Sequence, residues 1–121
     1  MRLLILFLVT ICAVLPLPGR AMELVMVEQP GCVYCAAWDK AIAPIYPKTE
    51  AGQAAPLVRV DLRADPPEGV TYARPVLFTP TFILVDDGAE VGRIEGYPGE
   101  DFFWGLLEQM LDRQGALPGG S

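Results

Sequence analysis

Cys32-Val33-Tyr34-Cys35 is the stretch whose residue types and spacing can do chemistry. Two thiols separated by two residues can close a disulfide, or exchange one with a partner. The pair follows an apolar run at residues 23–28 (ELVMVE) and a Gln29-Pro30-Gly31 turn cluster. A helical spacing begins there, with Cys35, Trp38, Ile42 and Ile45 recurring at three and four. This setting places Cys32 at or near a helix N-cap and Cys35 one turn further on. Orphan backbone N–H groups and the helix dipole at such a site favour the Cys32 thiolate. No charge lies between the cysteines, so the helix start supplies most of that stabilisation. Cys32 is therefore the candidate nucleophile, and Cys35, facing inward beside it, the candidate resolving thiol.

A second feature points the same way. Thr79-Pro80 immediately precedes the strand-like run TFILV at residues 81–85. Proline cannot donate to a sheet ladder and so belongs at a strand start. A cis bond there would turn the chain toward the helix start and leave the Thr79 backbone open to an extended peptide. Thr79 and Pro80 are thus candidate substrate-binding residues, with Val33 and Tyr34 from between the cysteines. Trp38 lies one helical turn from Cys35 and could border the same surface, although core packing is the default for it.

Composition narrows the function classes. The chain has 121 residues, no histidine, three cysteines and a net charge of −6. Without histidine there is no Ser/His/Asp or Cys/His catalytic pair, and no zinc site that depends on imidazole. The acidic balance argues against a nucleic-acid partner, which would call for a basic stripe. No cofactor beyond a Cys32–Cys35 redox couple and no metal site is expected.

The first residues read as a leader. Arg2 is followed by thirteen uncharged residues, 3–15, then Pro16, Pro18 and a Gly19-Arg20-Ala21 cleavage pattern. This order is that of a secretory signal peptide cleaved after Ala21. The apolar run is shorter than the ~20 residues that span a bilayer, which disfavours a membrane anchor. The mature domain is then 22–121, with seven basic and fifteen acidic residues, a net charge of −8, and only Cys32 and Cys35 as thiols. Export implies a disulfide-permissive compartment, the periplasm in this reading.

The elements that must position these residues follow from patterning. Strands are expected at 23–28, 57–62, 81–85 and 89–95, with an Asp86-Asp87-Gly88 hairpin turn between the last two. A helix is expected from residue 33 or 34 to about 46, kinked at Pro44, and another from 99 to about 114. The apolar face of the last helix would be Phe102, Phe103, Leu106, Leu107, Met110 and Leu111, with Trp104 also read as core. Residues 65–68 could start a short helix, and 49–56 read as loop. The fold class is α/β: a mixed four-stranded sheet, first two strands parallel and last two antiparallel, with helices on both faces.

CxxC after a first strand, Thr79-Pro80 before a hairpin strand and Gly96 closing the next resemble the thioredoxin superfamily in its minimal form. The phrase Val27 to Cys35 with Trp38, and the ending Glu95-Gly96-Tyr97-Pro98-Gly99 with Phe102-Phe103-Trp104, are similar to the small periplasmic thioredoxin-like proteins of bacterial sulfur-oxidation (Sox) systems. That resemblance implies a monomeric thiol–disulfide oxidoreductase that reduces a cysteine of a periplasmic partner, the sulfur-carrier protein of thiosulfate oxidation, and is itself reduced by a membrane thiol-electron transporter. It implies roles for Cys32, Cys35 and Pro80 as nucleophile, resolving thiol and cis-proline. Ordinary thioredoxins place Gly-Pro between the cysteines and Trp before them, where this chain has Val33-Tyr34 and Gly31. Their buried first-strand acid corresponds to Met26. Glu28, two residues on and on the same strand face, is the candidate replacement as proton acceptor. A solvated strand-end acid is the plainer reading of Glu28.

Other functions compete. A disulfide-forming oxidant or isomerase would use the same couple in reverse. A metal carrier would use the thiols as soft ligands, and a redox-gated binding module would not turn over. A purely structural disulfide over so short a loop would add little stability.

Overall fold

The computed structural model describes Ala13 and residues 22–118. The expected leader, Ala13 apart, and its cleavage point therefore lie outside the described residues. The elements in chain order are β1 (Met22–Glu28), α1 (Val33–Ala41), a 3-10 turn (Tyr46–Lys48), α2 (Glu50–Ala54), β2 (Leu57–Asp61), β3 (Thr81–Asp86), β4 (Ala89–Glu95) and α3 (Glu100–Arg113). The sheet order is β2-β1-β3-β4. β1 and β2 run parallel, and both β1–β3 and β3–β4 are antiparallel. The helical crossover and the tight hairpin, read from the sequence, produce this mixed sheet.

β1 and β3 are central and buried on both faces, which is why each reads as a nearly unbroken apolar run. Leu24 and Met26 of β1 face one cluster with Phe82 and Leu84 of β3. Val25 and Val27 face the other with Ile83 and Val85. The hairpin turns through Asp87 (φ 51°) and Gly88 (φ 84°), the paired positive φ of a type I′ turn.

Five expectations need correction. Among the described residues, α1, α2 and α3 all bury side chains in the Leu24–Met26 cluster. The opposite face is covered instead by a segment without a helix, residues 62–78, through Leu62, Val70, Tyr72 and Val76. The helix expected at 65–68 is absent, and Pro67 accepts from the Val70 N–H in a turn. Consecutive prolines explain this: Pro67 pushes Pro66 out of the helical region. Next, α1 stops at Ala41 rather than continuing to 46. Pro44 has no N–H for the Lys40 carbonyl and restricts Ala43 before it, so the helix ends and Ile45 is left exposed.

The stretch expected as loop at 49–56 contains α2. Thr49 caps it, its hydroxyl accepting from the Gly52 N–H at 3.0 Å. Finally, α3 buries Phe103, Leu107, Met110 and Leu111, but Phe102 is 70% exposed and Leu106 is also exposed. The buried stripe is narrower than the apolar pattern. Trp104 is half-buried and stacks on Tyr46 at 6.0 Å.

Candidate redox site

A turn delivers Cys32 to the helix. The Cys32 N–H donates to the Gln29 carbonyl at 3.3 Å, with Pro30 and Gly31 between them. Gly31 has φ 78°, so Pro-Gly fills the two central positions in the manner of a type II turn. A residue with a Cβ is disfavoured at that φ, which suits glycine at position 31.

Cys32 is the N-cap of α1, and its Sγ accepts from the Cys35 N–H at 3.1 Å. The sulfur therefore lies against the orphan N–H groups of the first turn, where negative charge on it is favoured. Cys32 and Cys35 form a disulfide with Cα atoms 5.2 Å apart. The two differ in access: Cys32 is half-buried, and Cys35 is 5% exposed among core side chains. Val33 and Tyr34 stand out from the helix start at 76% and 63% exposure. Trp38 does the opposite. It is fully buried against Phe82, Phe103 and Tyr46, so it supports α1 from below and is not part of a partner-facing surface.

The Thr79–Pro80 peptide is cis. Gln29 ties this loop to the cysteine loop, its Nε2 donating to Thr79 Oγ1 at 2.9 Å. On the far side of Pro80, the Gly96 N–H donates to the Pro80 carbonyl at 2.7 Å. The sequence carries no signal for this role of Gln29. Its place beside Pro30-Gly31 made it look like part of a turn, and its bond to a residue fifty positions on has no local signature.

Glu28 lines the same hollow of about 420 Å³ as Cys32 and Cys35. Its carboxylate pairs with Arg59 at 2.6 Å, and Arg59 also holds Asp39 at 2.7 Å. Asp39 borders the hollow too. Those bonds raise the Arg59 pKa, Asp39 foremost, against a smaller lowering by burial. The guanidinium lies 5.7 Å from the Trp38 ring centroid and reaches Met26 Sδ at 3.7 Å. Arg59 is the cross-strand neighbour of Met26. A charged residue within the β2 pattern was the available signal for Arg59, and helix spacing from Cys35 the signal for Asp39. Among the described residues, no group of three or more Cys, Asp or Glu could hold a metal ion.

A mixed sheet, a disulfide capping a helix and a cis-proline loop beside a second strand together define a thiol–disulfide site. The thioredoxin-like domain model matches residues 18–111, and the chain belongs to that family of oxidoreductases. Among solved structures it is similar to the periplasmic thioredoxin SoxS from Paracoccus pantotrophus, in its reduced form. The two are 54% identical over 77% of this chain and 98% of that one, with a TM-score of 0.75. The comparison with curated proteins finds no match.

Proposed function

We propose that the chain is a periplasmic reductant, passing two electrons from a Cys32–Cys35 dithiol to a disulfide on an exported partner. The observation that carries this is the asymmetry of the couple, a half-buried sulfur at the helix N-cap and a buried one a turn behind it.

The Cys32 thiolate attacks a partner sulfur, forming a mixed disulfide and releasing the partner's other sulfur as a thiolate. Cys35 loses its proton and attacks Cys32 Sγ. The bond from Cys32 to the partner breaks, the Cys32–Cys35 disulfide forms, and the partner departs with a second thiolate. The chain has then lost two electrons and the partner has gained them. A dithiol on a membrane thiol-electron transporter returns the pair. Glu28 accepts the Cys35 proton, a role supported by its place on the same hollow. Thr79 and Pro80 present backbone to the partner, and Val33 and Tyr34 give it apolar contact.

The similarity to a periplasmic SoxS supports export and a partner in sulfur oxidation. That partner would be the sulfur-carrier protein, its cysteine released as a thiolate from a disulfide or mixed disulfide. A Cys35→Ser chain expressed in its own periplasm tests the assignment. It should accumulate as a mixed disulfide between Cys32 and the carrier. Recovery of many unrelated exported proteins without the carrier contradicts it.

A further inference from the structure

Arg93 takes no part in the exchange chemistry, yet its side chain is 5% exposed and that of its partner Glu90 6%. Their pairing depends on an irregularity in the hairpin. Leu84 lies opposite Gly92, but Val85 lies opposite Glu90, so Val91 is an extra residue in β4. In a regular strand, positions 90 and 93 would point to opposite faces. The bulge turns them to the same one, and Glu90 Oε1 accepts from Arg93 Nη2 at 2.6 Å and Nε at 3.2 Å.

The rest of the guanidinium faces the segment that crosses this side of the sheet. Nη2 donates to the Arg74 carbonyl at 2.8 Å and Nη1 to the Pro75 carbonyl at 3.2 Å. Arg74 also pairs with Glu95 at 2.6 Å. These carbonyls precede Leu77 and Phe78, which are exposed and apolar and lead directly into Thr79–Pro80. Upstream the segment is held where the Thr71 N–H donates to the Gly88 carbonyl, and downstream where Thr81 Oγ1 donates to the Phe78 carbonyl. Arg93 clamps the span between these two points. A planar fork suits that task, because one rigid group satisfies a carboxylate and two carbonyls together.

We infer that Arg93 is a positioning residue for partner recognition. It fixes the loop that carries Leu77 and Phe78, so that these side chains form an apolar step beside the cis-proline against which a polypeptide partner packs. This rests on the reductant reading given above. A small disulfide reaches Cys32 without that step, whereas a protein disulfide must seat against it.

The test compares insulin, as a protein disulfide, with the small aromatic disulfide dithiobis(nitrobenzoate), using the reduced protein. Arg93→Lys keeps a positive charge against Glu90 but lacks the fork. KM for insulin should rise by roughly threefold to tenfold with kcat held, and the rate with the small disulfide should not change. Amide exchange across residues 74–78 should quicken. An unchanged KM for insulin, or an equal loss with both disulfides, overturns the inference. If Arg93→Lys does not fold, Glu90→Gln is judged by the same outcomes. A native chain that reduces neither disulfide refutes the reductant reading instead, and unchanged amide exchange in the variant would then overturn the clamp as well.

Discussion

At the scale of single residues, the division of labour between the sulfurs follows from where the helix begins. Cys32 caps α1 and accepts a backbone N–H, so charge on its sulfur is stabilised by the helix start itself. Cys35, one turn in, is shielded and must shed a proton to resolve the mixed disulfide. Glu28 borders the same hollow, held by Arg59. Glu28→Gln should leave the attack by Cys32 intact and slow decay of the mixed disulfide by roughly tenfold or more. Stopped-flow measurement of both phases checks this, and an unchanged second phase removes Glu28 from the mechanism.

At the scale of elements, the pieces that hold the site are those most tightly specified. α2 packs so closely on the 3-10 turn that a Cβ on Gly52 would fall 1.7 Å from the Tyr46 carbonyl oxygen. That carbonyl is backbone and cannot swing aside. Gly52→Ala should therefore cost about 3 kcal/mol in denaturant unfolding, and a loss near zero would mean that α2 repacks freely. The sequence made β1, the hairpin and α3 legible because each follows a simple period ended by a turn or cap. It also made the Cys32–Cys35 disulfide and the cis Thr79–Pro80 peptide legible, since both follow from residue type and order. α2 was hidden because glycine at position 52 lowers helix propensity and the Thr49 cap outweighs it. The early end of α1 turned on how much a proline disrupts a helix, and here it stops rather than kinks. The Gln29–Thr79 and Arg93–carbonyl contacts were not legible, since each joins residues far apart in sequence.

At the scale of the molecule, one sheet separates two jobs. The face with Leu24 and Met26 carries α1, α2 and α3 and roots the cysteine couple in an aromatic core around Trp38. The other face carries the non-helical 62–78 segment, which ends at the cis-proline loop. The cysteine couple is thus rooted on one face and the segment that leads into the cis-proline loop on the other, joined at the edge of the site by Gln29. The central claim is that electrons leave this couple for a partner. The reduction potential of Cys32–Cys35, measured by equilibration in thiol–disulfide buffers, tests that claim most directly. A value near about −270 mV, in the range of reducing thioredoxins, is predicted, and one near about −120 mV, that of a strong disulfide-forming oxidant, would contradict it.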